Sequence, residues 1–341
     1  MSEAPDVTLR TMINGFYVTQ ALHVAAELAI ADALASGPRA AEDLAAGAGA
    51  HPESLYRLMR ALASVSVLHE DESRRFSLTP VGECLRSDAK PSLHAWAKYV
   101  GRGEVWRSWG TLLQSVRTGH NAFRALHGVD VWEHRKTDAG ATAAFQAAMS
   151  CRTREVAEAV VAAYDFRRFR RIVDVGGGHG TLLRCVLAAH SAARGVLFDR
   201  PDVFAASGTK LASAVLAGVA DRCEIAGGNF FDKVPEGGDA YLLKHILHDW
   251  DDAEATAILR SCRRAIAQDG VLLIVEWCLE RPNEGPAGKL SDLNMLVMQG
   301  GRERTEDQYS APLREGGFRL GAVVRASTTN HWVLEALPVR L

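Results

Sequence analysis

The stretch Ile172–Gly180 constrains the fold more than any other part of the chain. An apolar, β-branched run leads directly into Gly176-Gly177-Gly178-His179-Gly180. Glycines at the end of a strand let the backbone approach a ligand that a Cβ atom would exclude, and a helix that begins near Thr181 presents free N–H groups. The sequence therefore predicts a strand, a ligand-binding turn and a helix in succession.

The pattern continues to the C-terminus. From Arg171 onward, short β-branched runs alternate with helical stretches, which is typical of a mostly parallel sheet covered by helices. Seven strands are predicted, and the last two follow each other in tandem, which indicates a closing hairpin. The predicted strands are Ile172–Val175, Val196–Phe198, Cys223–Ala226, Ala240–Leu243, Val271–Val275, Phe318–Arg325 and His331–Ala336.

The first half of the chain is rich in Ala and Leu with helical spacing, for example over Gly15–Leu34. A length of 341 residues, at about 100–200 residues per domain, indicates two domains. We place the boundary at the charged stretch 165–170, which gives domains 1–165 and 166–341. Within the first domain, helix, turn, helix and two strands form a winged-helix pattern. Its predicted members are Ala40–Ala46, His51–Ser64, Val67–Glu70 and Arg75–Leu78.

A winged helix raises the hypothesis of a DNA-binding regulator that senses a nucleoside ligand. Recognition helices need basic side chains aimed at phosphates and base edges. The second helix offers Arg57 and Arg60, but most of its other side chains are apolar and form a packing face. The formal net charge of −2 gives no bulk attraction to nucleic acid or to anionic lipid. The regulator therefore remains an alternative from a different functional class.

Polar residues at the ends of the next strands indicate a nucleoside ligand. Asp199 ends the second strand, 23 residues after Gly176, where a carboxylate can accept both ribose hydroxyls. After the third strand, Phe230 can stack on an adenine and Asn229 can bond its edge. Thr181 stands where the last glycine of a dinucleotide fingerprint would fall. This spacing favours a nucleoside without a pyrophosphate, so a NAD-dependent oxidoreductase is a weaker alternative.

Two histidines follow the fourth strand, at the edge where open α/β sheets bind ligands. One of them, His248, together with Glu276 and Glu303 further along the chain, is typical of a general base held in one tautomer by carboxylates. Their proximity is a hypothesis at this stage, because a lone histidine at such a position is structural about as often as it is functional.

Five motifs, in this order, resemble a known family: DVGGGHGTLL, GVLFDRPDV, GGNFF, LLKHILHDWDD and GGRERTEDQYSAPLREGGF. They are similar to the S-adenosylmethionine-dependent O-methyltransferases of the plant caffeate/hydroxyindole type, whose bacterial relatives modify natural products. The resemblance covers nearly the whole chain. It implies a Rossmann-like methyltransferase sheet, and an N-terminal winged-helix domain that builds a homodimer and closes the partner's pocket.

The resemblance also implies roles for individual residues. His248 matches the catalytic base, flanked by Glu276 and Glu303. Asn229 stands where the family commonly has Asp, and an amide can also bond the adenine edge. The implied cofactor-binding residues are Asp174, Gly176, Gly178, Asp199, Asn229, Phe230 and Lys244, and the implied substrate contacts are Phe145, Met149, Asn294, Met295 and Met298.

The resulting prediction is an enzyme that moves a methyl group from S-adenosylmethionine to a phenolic hydroxyl of a small aromatic acceptor, leaving S-adenosylhomocysteine. N- or C-methylation, or a non-methylating reaction on the same fold, remain alternatives. No metal is expected. No two cysteines are closer than sixteen residues and no CxxC pair is present. Without a signal peptide or an apolar run of about 18 residues, we expect a cytoplasmic protein that does not enter membranes.

Overall fold

The computed structural model describes residues 4–205, 216–326 and 329–339. It contains two compact units, one made of Met1–Arg107 with Ala147–Arg152 and the other of Ser108–Gln146 with Thr153–Leu341. The boundary between them differs from the one predicted near residue 165. The reason is the long helix Ala139–Ala163, whose C-terminal part belongs to the core of the second unit. A division by function at residue 165 stays a prediction.

The first unit is helical, with one small antiparallel sheet. Its strands pair in the order β1-β3-β2. The strands are β1 (Arg39–Ala40), β2 (Leu68–Glu70) and β3 (Arg75–Leu78). The helices that begin in this unit are α1 (Pro5–Ile13), α2 (Gly15–Glu27), α3 (Ile30–Leu34), α4 (Ala41–Ala48), α5 (Pro52–Ser64), α6 (Pro80–Glu83), α7 (His94–Val100) and α8 (Gly103–Trp109).

The predicted winged-helix element is present in this unit. The side chain of His51 caps α5 by accepting from the backbone N–H of Ser54, and Pro52 occupies the first turn. Leu55, Met59 and Leu62 share one face of α5 and are buried. The single helix predicted over Gly15–Leu34 is wrong, since Ala29 adopts φ 51° and separates α2 from α3. The apolar spacing continues across this break, which hides it from pattern analysis.

The second unit carries the large sheet. Its helices are α9 (Leu112–Thr118), α10 (Ala122–His127), α11 (Val131–Thr137), α12 (Ala139–Ala163, shared with the first unit), α13 (Thr181–Ala189), α14 (Asp252–Ala265), α15 (Pro286–Asn294) and α16 (Glu306–Glu315). Its strands are β4 (Arg171–Val175), β5 (Arg194–Asp199), β6 (Cys223–Gly227), β7 (Ala240–Lys244), β8 (Val271–Trp277), β9 (Phe318–Ala326) and β10 (His331–Pro338).

The sheet has the order β6-β5-β4-β7-β8-β10-β9. Strands β4 to β8 pair in parallel, whereas β10 is antiparallel to both β8 and β9. The seven predicted strands and the closing hairpin are thus confirmed. The chain winds outward in opposite directions from β4 and β7, so the crevice between these two strands is the expected ligand site.

Both faces of the sheet are covered by apolar cores. Along β4, Val173 and Val175 face one core, and Ile172 faces the other. This burial on both sides explains why apolar residues occupy consecutive positions in the central strands. Within the described ranges, no helix is both long and apolar enough to cross a lipid bilayer.

Candidate active site

The sequence motifs converge at one edge of the large sheet. The glycine-rich turn follows β4, Asp199 ends β5, Lys244 ends β7 and Glu276 lies near the end of β8. Because these strands are parallel neighbours, their carboxyl ends meet. Residues separated by about one hundred positions in the sequence therefore surround one crevice.

The glycine-rich turn forms a cradle without side chains. Gly176 and Gly178 adopt φ angles of +71° and +57°, which residues with a Cβ rarely adopt. A Cβ on Gly176 would lie 2.4 Å from Ile246 Cδ1, and one on Gly178 would lie 2.7 Å from Gln146 Oε1. The turn therefore requires glycine at both positions. Gln146, on α12, was missed by sequence analysis.

Asp174 lies beneath this turn with an unsatisfied oxygen. Its side chain is buried, and Oδ2 has no hydrogen-bond partner among the described residues. Burial and the nearby Asp199 raise the pKa of Asp174 to about 7, against the opposing effect of Lys244. A buried carboxylate of this kind favours a cationic ligand group.

Asp199 is held in place by two backbone groups. Its Oδ2 accepts from Gly178 N–H and its Oδ1 from Arg200 N–H, each at 2.7 Å. Each carboxylate oxygen retains a second acceptor position, so both can bind the adjacent hydroxyls of a ribose. Burial raises the pKa of Asp199, and these two hydrogen bonds oppose the rise.

An aromatic group follows β6. Phe230 packs edge-to-face against Phe231 and Trp250, with ring centroids 5.0 and 6.0 Å apart. Asn229 is exposed, and its Oδ1 accepts from Phe231 N–H at 3.1 Å. The side-chain amide nitrogen of Asn229 therefore remains the group that could donate to an adenine edge.

Lys244 is anchored by a residue that sequence analysis missed. Its Nζ donates to Thr153 Oγ1 at 2.7 Å. Thr153 lies on α12, and its separation of 91 residues from Lys244 leaves no local sequence signal for the contact.

His248 and Glu303 form a buried pair. His248 Nδ1 lies 2.8 Å from Glu303 Oε1, and the two residues are 7% and 2% exposed. The same Glu303 oxygen accepts from Ser291 Oγ at 2.7 Å. An ionised Glu303 requires a hydrogen on Nδ1, so the Nε2 lone pair of a neutral His248 is the position that can accept a proton.

The charges around His248 strengthen it as a base. Burial lowers its pKa, but Glu303, Asp249 and Glu276 outweigh that effect and raise the pKa to about 9. Asp249 Oδ1 lies 3.6 Å from His248 Nε2. Burial raises the pKa of Asp249 to about 7, while His248 and Arg135 oppose the rise.

Glu276 binds the backbone of the loop that carries His248. It is fully buried, and its Oε1 accepts the backbone N–H groups of Ile246, Leu247 and His248 at 3.0, 2.7 and 3.2 Å. Its Oε2 accepts from Tyr309 Oη. Glu276 therefore positions the backbone that carries His248, and its predicted place beside the imidazole stays a prediction. Sequence spacing cannot distinguish these two uses of a carboxylate.

Two residues missed by sequence analysis contact the same loop. The buried guanidinium of Arg304 donates to the carbonyls of Leu247 and Trp250 at 2.9 and 3.0 Å. It also donates to Asp252 Oδ1 at 2.8 Å, near the start of α14. Gly301 packs directly against this loop, since a Cβ there would lie 2.1 Å from His248 O.

The residues predicted to contact the acceptor lie in three parts of the structure. Met295 and Met298 are buried in a π-helical turn over Met295–Gln299, a structure frequent at functional sites. Asn294 Oδ1 accepts from Trp109 Nε1 at 3.2 Å.

The other two predicted contacts lie on α12. The Phe145 ring packs edge-to-face on Trp132, 5.8 Å between centroids. Trp132 in turn stacks on Trp250, next to Asp249. Met149 follows Phe145 by four residues and belongs to the first unit, so its role stays a prediction.

Within residues 4–205, 216–326 and 329–339, no group of three His, Cys, Asp or Glu side chains could hold a metal ion.

The chain is similar to known proteins over almost its whole length. Residues 109–319 match the O-methyltransferase domain family, and residues 11–88 match the O-methyltransferase dimerisation domain. Phenazine O-methyltransferase PhzM of Lysobacter antibioticus is 42% identical over 97% of this chain and 96% of its own length.

Solved structures agree with this similarity. The crystal structure of LaPhzM has a TM-score of 0.94 and 41% identity, covering 99% of this chain and 100% of that chain. The O-methyltransferase NcsB1 from neocarzinostatin biosynthesis, in complex with S-adenosyl-L-homocysteine and 1,4-dihydroxy-2-naphthoic acid, has a TM-score of 0.79 and 33% identity. It is matched over 94% of this chain and 96% of its own.

Proposed function

This chain belongs to the family of S-adenosylmethionine-dependent O-methyltransferases, and we propose that it methylates the phenolic hydroxyl of a small aromatic acceptor with His248 as the general base. The observation that carries the proposal is the buried contact of 2.8 Å between His248 Nδ1 and Glu303 Oε1. It leaves Nε2 to accept the hydroxyl proton and provides a carboxylate to stabilise the imidazolium that forms.

The residues at the sheet edge fit S-adenosylmethionine. Gly176 and Gly178 leave room that a Cβ would fill, and the unsatisfied Asp174 Oδ2 favours a cationic amine. Asp199 would hold the ribose, and Asn229 with Phe230 would hold the adenine. When bound, S-adenosylmethionine supplies an electrophilic methyl group on a sulfonium.

The protein's own residues would then supply positioning and proton transfer. A phenol has a pKa of about 10 and is mostly neutral at pH 7, so a base must take its proton as the oxygen attacks. General base catalysis typically contributes about 10²–10⁴-fold. Holding the hydroxyl in line with the methyl group contributes further, because a bimolecular step becomes effectively unimolecular.

An apolar, flat acceptor suits the surrounding side chains. Met295 and Met298 present thioethers, which pack favourably on aromatic rings. Phe145 adds an aromatic face. Relatives that act on a phenazine or bind a dihydroxynaphthoic acid support this acceptor class. The match to a dimerisation domain supports a homodimer.

The first test removes the proposed base. His248→Ala should lower the rate of methyl transfer by about 10²–10⁴-fold, whereas affinity for S-adenosylhomocysteine should change little. Transfer is measured by mass spectrometry as one added methyl on a panel of hydroxybenzoates, hydroxynaphthoates and hydroxyphenazines. The carboxylate partner is tested with Glu303→Gln in the same assay.

Two comparisons make the result specific. His120→Ala, at an exposed loop residue, should behave as the native enzyme. Calorimetric titration with S-adenosylhomocysteine, with NADH as a control ligand, should show saturable binding of the first alone. Native turnover in His248→Ala would replace the general-base proposal with catalysis by proximity. A methyl group found on nitrogen or carbon would overturn the acceptor class.

A further inference from the structure

A pair of imidazoles, His245 and His331, lies beside His248 and has no part in the mechanism above. His245 follows β7, His331 begins β10, and their Nε2 atoms are 2.8 Å apart. The His245 ring also stacks on the His248 ring, with centroids 5.0 Å apart and planes at 25°. One histidine thus contacts both the proposed base and a hydrogen-bonding partner on another strand.

The backbone holds His245 in an uncommon conformation. Its φ is 55°, in the left-handed region that residues with a Cβ adopt rarely. Its N–H donates to Val275 O on β8 at 3.1 Å. Non-glycine residues in this region persist where the surroundings fix them, and they cluster at active sites. The conformation therefore indicates that the His245 side chain has a role in the active site.

The two imidazoles can share only one hydrogen between their Nε2 atoms, because two N–H groups would otherwise point at each other. The second ring nitrogen of His331 lies near two groups of opposite hydrogen-bonding character. Trp277 Nε1, at 3.2 Å, can only donate to it. The carbonyl of Thr329, at 2.8 Å, can only accept from it.

Both choices keep the pair hydrogen-bonded. If His331 Nδ1 accepts from Trp277, its Nε2 carries the hydrogen and donates to His245. If His331 Nδ1 donates to Thr329, its Nε2 accepts from His245 instead. In either arrangement, the His245 ring lies stacked against His248.

We propose that the hydrogen-bonded pair of His245 and His331 positions the His248 imidazole for proton transfer, which makes both histidines positioning residues of the methyl-transfer reaction. The inference rests on the proposed role of His248 as the base. The pair connects the loop after β7 with the start of β10, and the stacked ring restricts the tilt of the His248 imidazole. A small displacement of the base is costly, because misplacement by about 1 Å can cost about 10²-fold in rate.

Two substitutions at His331 separate positioning from packing. His331→Phe keeps an aromatic ring but cannot bond His245, whereas His331→Gln keeps a group that donates or accepts. We expect His331→Phe to lower kcat by about 10- to 100-fold with the KM for S-adenosylmethionine unchanged, and His331→Gln to restore most of the loss. His245→Phe, which keeps the stacked ring, should lower kcat in the same way. His120→Phe is the matched surface control.

A second readout needs no acceptor. Titration of ¹⁵N-imidazole-labelled protein by NMR, with S-adenosylhomocysteine bound, should show a shifted midpoint for His248 in His331→Phe and a native midpoint in His331→Gln. Equal loss in both His331 variants, a fall in melting temperature without a change in kcat, or an unchanged His248 midpoint would each overturn the inference. Turnover in His248→Ala, measured alongside, tests the base assignment itself. A native rate there would reject the base and the inference with it, whereas a loss of rate there together with native kcat in His331→Phe would overturn the role of the pair alone.

Discussion

At the scale of single residues, two opposing effects act on the pKa of the proposed base His248. Burial favours the neutral imidazole, but three acidic neighbours favour the charged form and raise its pKa to about 9. A base of this strength is matched to a phenol with a pKa of about 10. The same shift leaves most of the imidazole protonated at pH 7, and only the neutral ring can accept a proton.

The raised pKa of His248 predicts how the rate depends on pH. The rate of methyl transfer should rise about tenfold per pH unit below pH 9 and level off above it, since the neutral fraction of His248 grows in this range. Glu303→Gln removes the carboxylate that raises the pKa most strongly, so the rise should move to lower pH while the plateau falls. Initial rates between pH 6 and 10 on one phenol that the enzyme accepts as substrate measure both. A rise at the same pH in both proteins would mean that the acceptor, not His248, titrates.

Some of these residues were predictable from the sequence and others were not. Asp199 ends one strand and His248 follows another, where chain order indicates the ligand edge, whereas Lys244 was predicted only through the family resemblance. Thr153 and Arg304 act through contacts with residues 91 and 57 positions away, and nothing local marks them. Their roles emerge only when strand order brings distant segments together.

At the scale of elements, the loop with His248 is fixed from two sides. Glu276, near the end of β8, binds its N–H groups, and Arg304 binds two of its carbonyls. Gly301 closes the contact, since a side chain there would lie 2.1 Å from His248 O and 2.3 Å from Asp249 C. Both of these are backbone atoms that cannot rotate away.

Gly301→Ala should therefore displace the loop and lower kcat by about 10- to 100-fold, as expected for a base moved by about 1 Å. Gly288→Ala is the matched control, because its Cβ would meet nothing closer than 3.7 Å and helix α15 favours alanine over glycine. Steady-state rates and melting temperatures of the two variants make the comparison. Native kcat in Gly301→Ala would show that the loop adapts without cost.

Element types were more predictable than their irregularities. The strands follow β-branched runs, and β4 and β8 begin within one residue of their predicted starts. The π-helical turn Met295–Gln299 has no such signal, because its apolar spacing is that of an ordinary helix. Its carbonyls are bound instead by Asn121, which donates to Leu296 O and Val297 O at 2.9 and 3.0 Å. This contact joins residues 175 positions apart, which no local pattern reveals.

At the scale of the whole molecule, strand order determines where the chemistry lies. The sequence indicates seven strands and a closing hairpin, but not that β4 and β7 are central neighbours. Their adjacency creates the crevice between the glycine-rich turn and the loop with His248. The motifs could be assigned to one site in advance only through the family resemblance, since spacing along the chain does not encode strand order.

The first unit exposes an apolar surface that predicts self-association. Met12 and Ile13 on α1 and Tyr17 on α2 are 70%, 64% and 61% exposed, within or beside the matched dimerisation domain. Large contiguous apolar patches are uncommon on monomers and mark interaction surfaces. We therefore expect Met12→Glu combined with Tyr17→Glu to convert a dimer to a monomer by placing charges in the interface, as measured by sedimentation velocity.

Ile225→Glu is the control for that experiment, because Ile225 is 48% exposed on the edge strand β6, where a charge is well tolerated. It should leave the dimer intact.

If each protomer closes the pocket of its partner, as the family resemblance implies, the monomeric variant should lose turnover while it still binds S-adenosylhomocysteine, whose proposed ligands all lie in the second unit. A monomeric variant with native turnover would show that each chain completes its own acceptor pocket. A double variant that still sediments as a dimer would place the interface elsewhere on the chain.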